Sequence, residues 1–234
     1  MIAACIAAIA LADDRPALPD GVCAGAGVPA YRTLLADGRL TIAAVFGRVD
    51  GEPNARALAR ALVERGFREA PPGHFERGPI AIDLVEVTDD RAQVDAALAA
   101  ALDRDIIYYN GHEYRGELAA LAAPPPGAHV LVLDTCWSTQ RYSRRLITPG
   151  VDVIGNSERA VTGSVDSFVV LLDGLDERRS WTELLAAMNA ASAERARVRI
   201  HSRFPRPERY RLDVACSERQ RPADPHVAFP AVAW

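Results

Sequence analysis

The chain has 234 residues and contains no lysine, so arginine supplies all 27 of its basic side chains. The 31 acidic residues outweigh the basic ones, and the formal net charge at pH 7 is −4. A general nucleic-acid-binding protein needs a strongly basic face, which this balance does not provide. We therefore expect no nucleic acid among the partners of this protein.

Several sequence patterns are also absent. No internal repeat, no sustained heptad pattern and no run of about 18 apolar residues occurs, which argues against a solenoid, a coiled coil and an ordinary transmembrane span. The chain has only four cysteines, and none belongs to a Cys-x-x-Cys pair or to a cluster with histidine. Glycine-rich phosphate-binding loops are missing as well. The sequence therefore offers no support for a metal site or a nucleotide site.

The first twelve residues are apolar throughout. Met1–Ala12 ends in Ala-Leu-Ala and is followed by two aspartates, a pattern typical of a secretory signal peptide. The segment lacks a positively charged start, so the alternative is a buried or frayed N-terminal helix in a cytoplasmic protein. Export to the periplasm or the medium would let Cys23 and Cys216 form a disulfide that ties the two ends of the chain to the core. Sequence spacing does not decide whether they pair.

The rest of the chain divides into three parts by composition. Residues 13–38 are rich in proline, glycine and alanine and are predicted to form an irregular lead-in, and the proline-rich residues 217–234 form a tail. Between them, residues 39–216 alternate between apolar strand patterns and amphipathic helix patterns. This order predicts a single α/β domain, with a mostly parallel sheet and helices on both faces.

Local patterns place the individual strands and helices of this domain. Strands are predicted at 40–46, 80–87, 151–155 and 210–215, in addition to two strands that end at His112 and Cys136. Helices are predicted at 55–64, 91–102, 116–122, 165–172 and 181–196.

The two strands that end at a reactive side chain are the most informative feature of the sequence. One apolar run stops at His112 and the next stops at Cys136, with one short helix predicted between them. A strand–helix–strand unit of this size makes two neighbouring parallel strands, about 4.8 Å apart. The imidazole and the thiol are therefore expected side by side at the carboxyl edge of the sheet. A thiol with an imidazole beside it is the smallest set of groups that nucleophilic cysteine catalysis requires.

Two other cysteine motifs do not fit the sequence around Cys136. The phosphatase loop Cys-x5-Arg requires an arginine six places after the cysteine, but Arg141 is five places away and Tyr142 occupies the required position. A hydrolase elbow of the Gly-x-Cys-x-Gly type also fails, because Asp134 and Ser138 stand where the glycines belong.

Both strand ends resemble the motifs of the caspase-like cysteine peptidases. This superfamily includes caspases, metacaspases, gingipains, separases and bacterial CHAT-domain proteins, and its strands end in Gly-His-Gly and in Asp/Gln-x-Cys. The corresponding segments here are Tyr109-Asn110-Gly111-His112-Glu113 and Leu133-Asp134-Thr135-Cys136-Trp137-Ser138. The resemblance covers about residues 39–175 and extends to the order of the preceding strands and helices.

This resemblance implies a role for four residues. His112 would be the general base and acid, and Cys136 the nucleophile. The backbone N–H groups of Cys136 and Glu113 would form the oxyanion hole, with Glu113 standing where the family has glycine. Asp134 lies where metacaspases carry an aspartate that lines a pocket for a basic P1 side chain. The implied substrate is a peptide or protein, and no cofactor takes part.

Two other functional classes remain open at this point. The first is a catalytically inactive caspase-like scaffold that binds a partner or a peptide in the same cleft. Glu113 favours it, and so does the separation of 24 residues between His112 and Cys136 (136 minus 112), which is short for the family. The second is a doubly wound domain that binds a small molecule without cysteine chemistry. The substrate and the oligomeric state are not determined by the sequence.

Overall fold

The computed structural model of the chain describes the central α/β part of the protein. The described residues are 37–47, 51–87, 91–111, 118–122, 125, 129–136, 138, 142, 146, 151–156, 165–177, 183–191 and 212–215. The predicted signal peptide and tail lie outside the described residues, as do Cys23, His112, Glu113 and Cys216.

Within the described residues, eight strands form one sheet in the order β2-β3-β4-β1-β5-β6-β7-β8. The five strands β4, β1, β5, β6 and β7 run parallel, while β2, β3 and β8 are antiparallel to their neighbours at the two edges. The prediction of a mostly parallel sheet is therefore confirmed. The strands are β1 (Leu40–Phe46), β2 (Arg68–Glu69), β3 (His74–Arg77), β4 (Ile80–Glu86), β5 (Ile106–Asn110), β6 (His129–Asp134), β7 (Val151–Asn156) and β8 (Leu212–Ala215).

Helices cover both faces of this sheet, as the sequence predicted. They are α1 (Gly51–Glu64), α2 (Arg91–Ala100) and α3 (Asp166–Glu177), with a short 3-10 helix at Ala119–Leu121 and further helical residues at 183–191. Ser138, Tyr142 and Leu146 are also helical. All three are buried, and their spacing of four residues is typical of one face of a helix.

Alternation along the strands divides the core into two layers. Ile42, Ala44 and Phe46 of β1 belong to the layer that includes α1 and α3, whereas Ala43 and Val45 belong to the layer that includes α2. The same alternation continues through β5 and β6. Because both faces of the central strands are covered, their sequences are continuous apolar runs rather than alternating ones.

The local sequence of helix α1 determines which of its faces is buried and where the helix ends. Leu58 and Leu62, one turn apart, are completely buried against the sheet. The helix ends where Gly66 adopts a positive φ of 79°, a conformation that costs glycine little. Next to it, the Arg65 guanidinium donates to both carboxylate oxygens of Asp173, at 2.7 and 2.8 Å, and so joins α1 to α3.

Some elements differ from their predicted form. The hairpin β2–β3 was not predicted, because its strands are short and Arg68–Glu69 is charged and exposed. The predicted helix at 116–122 is a single 3-10 turn at Ala119–Leu121 within the described residues. Leu118 precedes this turn and offers no side-chain cap. Helix α3 extends to Glu177, five residues beyond its predicted end.

Successive strands are added to one side of β1 and then to its other side, so the order of strand addition reverses between β1 and β5. From β1 the chain passes to β4 on one side, and it then crosses over to β5 on the other side of β1. The carboxyl ends of β1 and β5 therefore border a topological switch point. Open α/β sheets bind their ligands at such a point, outside the carboxyl ends of the strands.

A cluster of charged side chains joins the antiparallel edge to the parallel strands. His74 of β3 lies between two carboxylates, with Nδ1 2.6 Å from Asp83 Oδ1 and Nε2 3.1 Å from Glu76 Oε1. The Arg104 guanidinium donates to the other oxygen of Asp83, at 3.0 and 3.2 Å. The hydrogen bonds to Asp83 and Glu76 raise the pKa of His74 above 6.5. For Asp83, burial raises the pKa, but the bonds from His74 and Arg104 outweigh it and lower the pKa.

Replacing His74 with glutamine tests this cluster through the pH dependence of stability. The folded pKa of His74 is raised, so its charged contacts stabilise the fold fully below about pH 6.5 and are lost as the pH rises through the folded value. Near pH 6 we expect the unfolding free energy of the wild type to exceed that of His74→Gln by about 0.5–1 kcal/mol, and the excess to shrink towards about pH 9. Urea denaturation across this range measures it. A difference that grows with rising pH would contradict the assignment.

Candidate functional site

The strands that lead to His112 and Cys136 are neighbours. β5 and β6 pair in parallel, and the register places Asn110 opposite Asp134 at their carboxyl ends. His112 and Cys136 each follow one of these paired residues by two positions. His112 lies outside the described residues, so its approach to the thiol stays a prediction.

Cys136 occupies the turn between β6 and a helical segment. Its side chain is partly exposed and carries a thiol rather than half of a disulfide. The residues around it are more deeply buried: Thr135 is 1% exposed and Ser138 is 0% exposed. Cys136 is therefore more exposed than the described residues beside it, as a cysteine that reacts with a reagent or a substrate must be.

Ser138 closes the turn that carries Cys136. Its hydroxyl donates to the carbonyl oxygen of Leu133, at 2.5 Å, and accepts a hydrogen bond from the backbone N–H of Asn156, at 2.9 Å. The backbone N–H of Thr135 donates to the same carbonyl of Leu133, at 2.9 Å. The turn is thus attached both to its own strand and to the end of β7.

Asp134 accepts hydrogen bonds from both neighbouring strands. Its Oδ1 accepts from the side-chain amide of Asn156, at 3.0 Å, and its Oδ2 accepts from Asn110, at 2.9 Å, and from the hydroxyl of Tyr108, at 3.3 Å. Asn110 in turn accepts from the side-chain amide of Asn54 on α1, at 2.7 Å. We call Asn54, Asn110, Asp134 and Asn156 the polar row. It crosses the carboxyl edge from α1 to β7, and all four residues are buried.

Burial dominates the electrostatics of the polar row. It raises the pKa of the Asp134 carboxyl, and the hydrogen bonds from Asn156, Asn110 and Tyr108 only partly oppose that rise. Burial, followed by the nearby charge of Asp134, raises the pKa of Tyr108 well above 10. Tyr108 therefore stays protonated and can donate to the carboxylate.

Aromatic packing holds the Tyr108 hydroxyl against Asp134. The ring of Tyr108 stacks on Phe168 of α3, with centroids 4.2 Å apart and planes 7° apart. Phe46 makes a T-shaped contact with the same ring, with centroids 5.8 Å apart and planes at 76°. These contacts are a favourable arrangement of aromatic rings, and they leave Tyr108 little freedom to turn its hydroxyl away.

Two glycines let the backbone approach Tyr109, which lies on the face of the sheet that α2 covers. A Cβ atom on Gly111 would lie 2.7 Å from the Tyr109 hydroxyl oxygen, and one on Gly47 would lie 3.1 Å from it. The backbone N–H of Gly47 donates to the carbonyl of Asn110, at 2.9 Å, which ties the end of β1 to that of β5. Gly111 is thus required by space in the turn that leads to His112.

The structure describes two of the predicted site residues and leaves the others outside its described part. Cys136 and Asp134 lie at the carboxyl edge, where the sequence placed them, whereas His112, Glu113, Cys23 and Cys216 lie outside the described residues. Asp134 was predicted to line a substrate pocket; this role stays a prediction, and both of its carboxylate oxygens are occupied by other side chains. Among the described residues, no cluster of histidine, cysteine and carboxylate side chains fits a metal ion.

The rest of the polar row was not predicted. A signal for two of its members is present in the sequence, because Asn110 and Asn156, like Asp134, end consecutive parallel strands with a polar side chain. Asn54 offers no such signal, since its contact depends on how α1 packs against the sheet.

Comparison with known proteins adds no family to this description. A scan against protein-family models finds none that matches the chain, and a search among curated proteins finds no match. The chemistry of the carboxyl edge is therefore the ground on which a function is assigned.

Substituting alanine for Gly111 tests the close approach to Tyr109. The added methyl group would overlap the phenol, so we expect Gly111→Ala to lower the unfolding free energy by about 1–3 kcal/mol. Gly47→Ala is the matched control, because its Cβ meets the same hydroxyl at a longer distance, and its loss should be smaller. Chemical denaturation measures both variants. Equal stability of Gly111→Ala and wild type would show that this turn does not lie against Tyr109.

Proposed function

We propose that the protein is a caspase-like cysteine peptidase in which Cys136 is the nucleophile and His112 the general base and acid. The observation that carries the proposal is the parallel pairing of β5 and β6, with Asn110 opposite Asp134. Each residue of the proposed dyad follows one partner of this pair by two positions, with a single residue between them. The partial exposure of Cys136 also supports the proposal, because a substrate must reach the nucleophile.

The chemistry is that of an acyl-enzyme. His112 accepts the thiol proton, and the Cys136 thiolate attacks the peptide carbonyl carbon. The backbone N–H groups of Cys136 and Glu113 stabilise the negative oxygen of the tetrahedral intermediate. His112 then protonates the leaving amine as the peptide bond breaks. Water, activated by the same histidine, hydrolyses the thioester and regenerates the thiol.

The implied preference for a basic P1 residue depends on Asp134. A carboxylate directed into a pocket would pair with an arginine side chain. Three donors already bind Asp134, two of them at Oδ2, so an arginine that pairs with both carboxylate oxygens would have to displace at least one of them. The substrate class supported best is therefore a peptide or protein of unspecified P1 residue.

Export is the second part of the proposal and rests on Met1–Ala12 alone, which lies outside the described residues. Among the helices that the structure describes, none is both long and apolar enough to span a bilayer.

A non-catalytic scaffold is the alternative function. Glu113, in place of the family's glycine, favours it, because a charged side chain borders the proposed oxyanion hole. In that case the same edge would bind a peptide without cleaving it.

Cys136→Ala and His112→Ala test the peptidase against the scaffold. With fluorogenic peptides that vary at P1, we expect each variant to lose at least about 1,000-fold in kcat/KM, because each removes a group that acts in the transition state. Asp173→Asn is the control, since it breaks only the contact between α1 and α3. Folded wild-type protein that cleaves no peptide, with Cys136 no more reactive towards iodoacetamide than a free cysteine, would favour the scaffold.

A further inference from the structure

Asn156 contacts the Cys136 turn on both sides of the cysteine. Before Cys136, its side-chain amide donates to Asp134 Oδ1 at 3.0 Å and, more weakly, to the carbonyl of Thr135 at 3.4 Å. After Cys136, its backbone N–H donates to the hydroxyl of Ser138, at 2.9 Å. One residue of β7 thereby holds the turn that presents the thiol.

Asp134 connects this turn to the strand that leads to His112. Its Oδ2 accepts from the side-chain amide of Asn110, the last residue of β5. Asn110 is itself held from the other side by Asn54. A carboxylate suits this position because it accepts on both oxygens at once, whereas an asparagine would present a donor to one of its two neighbours.

We propose that Asp134 and Asn156 are positioning residues, which fix the Cys136 turn relative to the end of β5. We call this pair, with the Ser138 hydroxyl that Asn156 contacts, the clamp. This inference rests on the proposed peptidase function, because it assigns these residues a task in that reaction. It gives Asp134 a role that does not require contact with a P1 side chain. Catalysis by a dyad is sensitive to such positioning, since a displacement of about 1 Å can cost about 100-fold in rate.

Exchanging the two side chains is the sharpest test. In Asn156→Asp, two carboxylates face each other in a buried site, which disrupts the contact. In the double variant Asp134→Asn/Asn156→Asp, the new amide donates to the new carboxylate, and its oxygen still accepts from Asn110. The exchange restores the hydrogen bonds at position 134, but the carboxylate at position 156 has the new amide as its donor in place of the three donors of Asp134. It also faces the Thr135 carbonyl oxygen, to which the amide of Asn156 donates in the wild type.

We expect Asn156→Asp to lower kcat by about 10- to 100-fold with little change in KM. The exchange should recover about three-fold or more of that loss, because it removes the repulsion between two carboxylates but leaves the new one with fewer donors. Asp173→Asn serves as the stability control. A fall in kcat no larger than that of Asp173→Asn, or an exchange that recovers nothing, would overturn the proposal.

Ser138→Ala is the milder variant if Asn156→Asp does not fold. It removes only the hydroxyl that links Leu133 to the backbone of Asn156, and alanine keeps the helical position. We expect a loss of about ten-fold in kcat with unchanged KM. Wild-type kcat in folded Ser138→Ala would contradict the proposed clamp.

A P1 profile separates positioning from substrate binding. If Asp134 only positions the turn, folded Asp134→Asn changes kcat/KM for arginine and norleucine peptides in parallel, and their ratio stays within about two-fold of the wild-type ratio. If Asp134 binds the P1 side chain, the ratio falls by about ten-fold or more, and the proposal is wrong.

Thiol alkylation keeps this test independent of peptidase activity. Tryptic peptide 116–141 contains Cys136 and no other cysteine, so mass spectrometry follows its reaction with iodoacetamide directly. If wild-type protein cleaves no peptide, the proposed function fails. The clamp is then still supported if Asn156→Asp changes the alkylation rate of Cys136 by about five-fold or more and the exchange restores the wild-type rate. Equal rates in wild type, Asn156→Asp and the exchange would refute the clamp as well.

Discussion

The carboxyl edge of the sheet depends on the buried carboxylate of Asp134. A carboxyl group that has lost its water costs several kcal/mol unless hydrogen-bond donors replace that water. Here the donors are Tyr108, Asn110 and Asn156, from the strands on both sides. They reach Asp134 only when β5, β6 and β7 pair in the observed register, because a slip by one residue turns each side chain to the opposite face.

The polar row separates two environments at this edge. On one side lie the apolar layers of the sheet, including the Tyr108–Phe168 stack, which directs the tyrosine hydroxyl at Asp134. On the other side lies Cys136, a partly exposed residue in a turn attached to β6 and β7 through Ser138. Rigidity is thus supplied from inside the protein, and the reactive group is left accessible. This division suits a nucleophile that must meet both a base and a substrate at defined positions.

The sequence predicted the parallel strands well, because β1, β5, β6 and β7 are buried on both faces and appear as continuous apolar runs. It missed the hairpin β2–β3, whose short, charged strands have no such pattern. It also missed the polar row. Asn110 and Asn156 taken singly are ordinary strand-end residues, and their contact with Asp134 arises from the register between strands far apart in sequence. Asp134 was therefore assigned to a substrate pocket from its motif alone, without the partners that hold it.

A crystal structure that includes His112 would test most directly whether this edge is built to join a base to a nucleophile. The pairing of β5 with β6 places the two chain segments at adjacent strand ends, and the polar row holds those ends together. We predict that a ring nitrogen of His112 lies within about 4 Å of the Cys136 sulfur, allowing for the looser geometry of an unliganded enzyme. A separation of more than about 8 Å, with both residues well ordered, would contradict the dyad and leave the edge as a binding surface.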